Sequence, residues 1–412
     1  MLGVLRNRDF RFLFAGGLVS SLGDWFLFIA LPFYVYSLTG SALATGGTFI
    51  AESLPTILFG SVAGVYVDRW DRRRTMIVAD LLRAVLILGL LAVRSPETVW
   101  IVFAVSFAQS TIGQFFGPSK DSLIPRIVGD DDLLAANSLS SMGTQVTMLV
   151  GPALGGASLA LFGMSAGIAA DSASFLFSAL MAAFVGSPRR EVIVRETPAG
   201  GSVWQTAWRD YREGISLMGG NAVVVALLLA MGITEVGQGM VNVQLIPWVK
   251  DVLHGDALVL GWIVSAQGVG GVIGGLALGS VGQSFSPSQV LTVGLLSTGL
   301  IIFALVSMTV IPVILILVAM IGVAVVAFVI RLQTLLQTSV EDAYRGRVLG
   351  AYNATQSALL LLGMGLAGAL GGIVGPVPTL EMAGLLYAVG GVVTAFVLPR
   401  ALRTTVAALA LD

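Results

Sequence analysis

Residues 42–94 read ALATGGTFIAESLPTILFGSVAGVYVDRWDRRRTMIVADLLRAVLILGLLAVR. Two apolar runs, 42–67 and 75–94, flank a short charged segment that holds Asp68, Arg69, Asp71, Arg72, Arg73 and Arg74. A helix needs roughly 20 residues to cross the hydrocarbon core of a bilayer, and each run is about that long. The runs are continuously apolar rather than alternating, so they predict helices and not the strands of a barrel. The stretch therefore predicts a helical hairpin through a membrane, with its charged turn in water.

The rest of the chain extends this pattern. Of 412 residues, 56% are hydrophobic and 11% charged, where a soluble domain carries about 25% charged residues. Mean hydropathy is +0.93. Such a chain needs lipid as its solvent, and its 51 glycines suit close helix packing there. Twelve candidate spans lie near 12–36, 42–67, 75–94, 98–117, 139–162, 166–187, 221–248, 257–281, 288–307, 311–337, 347–371 and 378–399. Arg6, Arg8 and Arg11 precede a long apolar run with no small-residue cleavage pattern, so the first span is expected to be retained. Most Lys and Arg residues fall in alternate loops, which predicts both termini in the cytoplasm. Arg94 and Lys250 lie on the other side, while Arg83 and Arg331 are placed within helices near cytoplasmic ends. A net charge of −1 gives no field for nucleic acid, and the lack of cysteine excludes disulfides and thiolate sites. The lone His254 reads as a solvated loop residue.

The longest polar stretch, 188–220, divides the chain into an N-terminal six-helix bundle (1–187) and a C-terminal one (221–412). Within it, Ser202 is a candidate cap for a short helix whose Trp204, Trp208, Tyr211, Ile215 and Met218 share one face, as in a helix lying in the membrane interface. The halves echo each other: Ala42, Gly46, Ala51, Gly60 and Gly64 recur 215 residues later as Ala257, Gly261, Ala266, Gly275 and Gly279. A shift of 211 residues sets Asp24 against Glu235.

Gly64-Val-Tyr-Val-Asp68-Arg69-Trp-Asp71-Arg72-Arg73 resembles the loop signature of the major facilitator superfamily, Gly-x-x-x-Asp-Arg-x-Gly-Arg-Arg, with Asp71 in place of Gly. In that reading Gly64, Asp68, Arg69, Arg72 and Arg73 form a cytoplasmic gating latch; the alternative for the arginines is topological anchoring alone. The corresponding second-half segment, 279–287, has Gln283 for the Asp. Gly151-Pro152-Ala-Leu-Gly155-Gly156 resembles the superfamily's antiporter element, with Thr147 where a leading Gly is usual. Pro152 bends a helix and the glycines admit a neighbouring backbone. Asn7 to Phe14, Pro118 to Asn137 and Arg345-Gly-Arg347 look like the branch that holds macrolide-efflux-type exporters and the enterobactin exporter; lysophospholipid transporters share a similar loop. The resemblance implies the twelve-helix fold of two pseudo-symmetric six-helix bundles, and a protein that usually acts as a monomer.

An ionisable side chain at a helix centre costs about 2.5–3.5 kcal/mol on insertion scales, so each needs a reason. Asp24, Glu52 and Glu235 lie near the middles of spans one, two and seven, and Glu235, Gln238 and Asn242 form one polar stripe. These are candidate proton-coupling groups, or else neutral hydrogen-bonding partners between helices. Gln109, Asn353 and Gln356 are candidate cavity residues, with interhelical hydrogen bonding equally in view. Arg331 is expected to snorkel, to meet Glu341 or Asp342, or to hold an anionic substrate group. Asp171 and Glu381 lie within a turn or two of outer helix ends and are expected to cap a helix or to sit at the interface. Span four lacks the arginine of many drug–proton antiporters, having only Gln109 and Gln114.

No phosphate-binding loop, metal cluster or catalytic triad is present in the sequence, so an enzyme is not expected. The expectation is a secondary exporter in the cytoplasmic membrane, without a cofactor, moving a small amphipathic organic substrate, drug-like or siderophore-like, in exchange for protons. Helix-one aromatics (Trp25, Phe26, Phe28, Phe33, Tyr34) could wall the site. Open alternatives are a lysophospholipid flippase, a proton-independent facilitator, and a ligand-binding sensor on a transporter fold.

Overall fold

The computed structural model describes residues 2–67, 70–186, 203–281, 284–341 and 344–409, and these are helical with short connections. Helix α1 (Arg8–Thr39) begins at Asn7, whose side chain accepts from the backbone N–H groups of Asp9 and Phe10. These are two of the donors that a helix start leaves without an internal partner. The Asn7 amide also donates to the Ile127 carbonyl at 2.7 Å, tying the start of α1 to the end of α4. There follow α2 (Ala42–Val67), α3 (Arg72–Ile87, continued by a 3-10 turn Leu88–Ala92), α4 (Trp100–Ile127) and α5 (Asp130–Phe184). Then come α6 (Val203–Gly219), α7 (Ala222–Pro247), α8 (Ala257–Val281), α9 (Pro287–Val306), α10 (Ile311–Thr338), α11 (Arg345–Val374) and α12 (Pro376–Leu409).

Eleven of these elements are long and apolar enough to cross a membrane. Helix α5, at 55 residues, would extend ~80 Å if straight, far more than one crossing needs. It breaks at Gly163, whose φ of 74° and ψ of 173° suit glycine. Gly155 before the break and Gly167 after it both abut Phe26 of α1. The two arms, 130–162 and 164–184, therefore run back past one another, and α5 supplies two crossings. The total is twelve.

The helices form two compact units. One contains α1, α3, α4, α5 and most of α2; the other contains α6, α7, α9 to α12 and most of α8. In the first, α1 packs along α5, and α3 lies against α4 and α5. In the second, α12 lies against α7 and α9, and α11 against α7.

The helices reach further than the apolar runs do. The polar segment 118–139 is helical except for a break at Val128–Gly129, with Pro118 and Pro125 inside α4. A proline removes one backbone donor and bends a helix, but neighbouring groups can re-satisfy the freed carbonyl. Helix α6 does not lay all of its aromatic face outward. Tyr211 bonds Thr355 of α11 at 3.3 Å, Glu213 pairs with Arg347 at 3.6 Å, and Met218 is buried, while Trp208 stays accessible. Gly200, Gly201, Ser202, Arg189, Arg190, Arg195, Gln283 and Asp342 lie outside the described residues, as does the side chain of Trp204.

Candidate functional site

Asp24 and Glu52 are brought together, with residues that were not expected beside them. The first unit encloses a cavity of about 430 Å³, whose wall carries Asp24 and Gly17 of α1, Glu52 of α2, Arg83 of α3, Gln109 and Lys120 of α4, and Asp171 of α5. Gly17 and Asp24 are seven residues apart on α1, which places them on one face.

Arg83 is the hub. Its Nη2 donates to Asp24 Oδ1 at 2.6 Å and its Nε to Gln109 Oε1 at 3.2 Å. The Gln109 amide donates back to the Arg83 carbonyl at 3.0 Å. The guanidinium lies 4.1 Å from the centre of the Phe175 ring, within cation–π range. An arginine can hold all of these at once because its planar fork offers five donors and a flat face. Arg83 lies at mid-span of Arg72–Ala92, not near a helix end as its place after the basic loop suggested. Gln109, on α4, thus serves the cavity and an interhelical bond together. The arginine that span four lacks is supplied here from span three, against a span-four glutamine.

Asp171 is also not interfacial. It is 2% accessible, accepts from Ser174 Oγ at 3.1 Å through Oδ1, and its Oδ2 has no hydrogen bond among the described residues. Its seat exists because α1 has glycine at position 23: a Cβ there would fall 2.0 Å from Asp171 Oδ1. One turn before Arg83, Asp80 is fully buried beside Ser178. Of the aromatics expected on the wall, Phe28 lines the cavity, joined by Phe175. Phe26 is buried in packing, and Tyr34 donates to the Val93 carbonyl at 2.9 Å.

The second unit holds a separate polar cluster on α7, α11 and α12. Gln356 Nε2 donates to Glu235 Oε1 at 2.8 Å. Gln238 Nε2 donates to Asn242 Oδ1 at 2.8 Å, and Tyr387 donates to Gln238 Oε1 at 2.6 Å. Gly239 and Gly363 bring the α7 and α11 backbones close together beside the Gln356–Glu235 bond. Asn353 is accessible, and Arg331 donates to the Phe285 carbonyl at 3.1 Å, in the turn before α9.

In the charged loop, Asp68 and Arg69 lie outside the described residues, and Gly64 falls within α2. Asp71 caps α3, its Oδ1 accepting from the Arg74 N–H at 2.9 Å. This gives a physical reason for Asp where the superfamily signature has Gly. Arg72 is buried. Arg73 donates to the Ala182 and Ala183 carbonyls at the end of α5, the cationic capping that helix C-termini favour. The antiporter element packs α5 onto α1: a Cβ on Gly151 would meet Trp25 Cβ at 2.4 Å, and one on Gly155 would meet the Phe26 carbonyl at 2.8 Å. Gly156 and Pro152 are buried in the same arm, and Thr147 turns its hydroxyl onto the Thr144 carbonyl.

Apolar crossings with a charge-lined cavity in the first unit suit a solute path better than a catalytic centre, and the comparisons with known proteins agree. The family model described as transmembrane secretion effector matches residues 1–409. The chain is 26% identical over 360 residues to macrolide efflux protein A of Streptococcus pyogenes, covering 86% of this chain and 87% of that protein. It is 26% identical over 399 residues to the multidrug efflux pump Tap of Mycolicibacterium fortuitum, covering 93% and 94%. The crystal structure of a bacterial homologue of the iron transporter ferroportin, in an inward-facing state, matches with a TM-score of 0.73 over 96% of this chain and 98% of that one. At 14% identity this is a likeness of fold. The chain belongs to the transmembrane secretion effector family, and it is a membrane transporter of the major facilitator superfamily.

Proposed function

We propose that the protein exports amphipathic organic molecules from the cytoplasm by alternating access, in exchange for protons, with both termini on the cytoplasmic side. The observation that carries this reading is the charge balance around Arg83 in the first unit's cavity: one guanidinium and the three carboxyl groups of Asp24, Glu52 and Asp171, with Lys120 and Asp121 adding one charge of each sign farther along the wall. One cation compensates one carboxylate. Leaving another ionised and buried without a partner costs several kcal/mol. A proton and a cationic cargo both relieve that cost at the same oxygen atoms, so each displaces the other. That competition is the chemical basis of exchange. On one side of the membrane a carboxylate takes up a proton and releases the cargo; on the other it returns the proton as the next cargo binds. The Phe28 and Phe175 rings offer apolar surface for the body of the molecule. Efflux in the names of relatives from two bacterial genera supports the outward direction.

The test is dye efflux in inverted vesicles energised by a proton gradient, with and without a protonophore. Accumulation that collapses with the gradient, and that Asp24→Asn abolishes, is the expected result. Movement indifferent to the protonophore would overturn proton exchange in favour of a facilitator. No movement by verified, folded protein would overturn the choice of cargo.

A further inference from the structure

The same cavity has a second cation that the exchange of protons does not use. The fourth span was expected to end near 117, but α4 runs on to Ile127 and carries Lys120 onto the cavity wall. Its Nζ lies 3.0 Å from where a Cβ would stand on Gly17, so the ammonium rests against the bare backbone of α1. It is half-buried and, among the described residues, makes no hydrogen bond or ion pair. An amine so placed, with three donors, is a point charge open to an anion. Asp121, the next residue, also reaches the wall and is accessible. Its charge weakens the local field, which favours a singly charged partner over a doubly charged one.

Gly17 and Asp24 lie on one face of α1, seven positions apart along the chain, a rise of ~10 Å. The wall therefore presents an acidic centre at Asp24 and Glu52, and a basic centre about 10 Å away at Lys120, with Ser20 and Ser21 between them. We infer that Lys120 is an anion subsite and that the preferred cargo is a zwitterionic amphiphile: a cationic group meets Asp24 and Glu52, and a carboxylate at the far end meets Lys120. This inference rests on the reading that cargo passes through this cavity. It adds selectivity, because a cation without a carboxylate leaves Lys120 without its counter-charge.

A matched pair of fluorescent probes tests it: rhodamine B, with a free carboxylate, and rhodamine B ethyl ester, which keeps the cation and masks the acid. Binding of each to the full-length protein in detergent is measured by fluorescence anisotropy. The quantity read is the ratio of the two dissociation constants, compared between variants so that partitioning into micelles cancels. The wild type should favour the acid over the ester by about tenfold more than Lys120→Met does. Lys120→Arg should restore the preference; the ester should still bind in both variants, as tightly as in the wild type in Lys120→Arg and at least as tightly in Lys120→Met, which lacks the unpaired ammonium. Lys120→Gln serves the same comparison if the Met variant does not fold. A ratio that Lys120→Met or Lys120→Gln leaves unchanged, with both dyes bound, would overturn the subsite while leaving the export reading intact. Failure of the folded wild type to bind either dye would overturn that reading and the subsite together.

Discussion

A double-mutant cycle on Asp24 and Arg83 puts a number on the charge pair at the heart of the site. The variants are Asp24→Asn, Arg83→Gln and the two combined. The Nη2–Oδ1 separation is 2.6 Å, and the side chains are 11% (Arg83) and 43% (Asp24) accessible. An exposed pair contributes up to about 1 kcal/mol, whereas removing one partner from a buried pair costs about 3–5 kcal/mol. This pair stands between those limits. Asp24 reaches water, so the upper figure is discounted, and a coupling energy of about 1–2 kcal/mol is expected. Arg83→Gln alone should cost more, about 2–4 kcal/mol, because the Gln109 bond and the Phe175 contact go with it. Asp24→Asn alone should cost about 1 kcal/mol, as the asparagine oxygen still accepts. The assay is denaturant titration of reconstituted protein in mixed micelles, followed by circular dichroism. Single effects that add to the double within about 0.5 kcal/mol would show no coupling. The idea that Arg83 is held by Asp24, and released when Asp24 is neutralised, would then be wrong.

Three further perturbations bear on other parts of the structure. Glu235→Gln retains an oxygen for the Gln356 amide, so the protein should fold as before while driven exchange falls at least about tenfold; vesicle transport within twofold of wild type would remove Glu235 from the coupling path. Gly23→Ala sets a methyl group where the Asp171 carboxyl sits and should cost about 1–3 kcal/mol of stability. It should also reduce exchange as Asp171→Asn does, and a Gly23→Ala protein with wild-type stability and flux would refute the packing. Asp71→Ala removes the cap of α3 and should cost about 1 kcal/mol, with Asp71→Gly losing only a few tenths; equal losses in the two would show that the cap is not what Asp71 contributes.

The twelve crossings were legible because lipid imposes a length and an apolarity on every span, and continuous runs such as 311–337 satisfy both without reference to neighbours. Asp24 and Glu52 were legible for the complementary reason: a carboxyl group in the middle of such a run stands out. Arg83, Asp171 and Lys120 were not read as cavity residues, and each failure has a distinct cause. Arg83 follows the cluster Arg72 to Arg74 and was placed near the cytoplasmic end of its span. Its depth, three helical turns beyond Arg72 and too far to snorkel back, was the available clue. Lys120 lies beyond 117, where the fourth span was expected to end, on a helix that in fact continues through Pro118 to Ile127. Asp171 was judged by its nearness to a span boundary, and its seat is a glycine 148 positions earlier on another helix. Such a partnership lies in the packing of α1 on α5 and has no local signature.

Two glycines on α1 connect the packing to the chemistry. Gly23 leaves the space that Asp171 fills, and Gly17 the space against which Lys120 rests. Glycine within a helix costs roughly 0.5–1 kcal/mol relative to alanine, and that cost recurs here at the two places where polar groups from other helices come to rest. Asp24, on the same face as Gly17, contributes a carboxylate of its own. Helix α1 therefore supplies one charge and accommodates two others, and any axial shift or rotation of α1 changes the surroundings of all three together. A rotation that draws Asp24 off Arg83 also carries the Gly23 notch off Asp171. Asp24 then loses its ion pair and Asp171 its glycine seat in the same movement, while the Asp171 bond to Ser174, within α5, stays. In the proposed exchange this links the exposure of the two carboxyl groups without a separate relay between them.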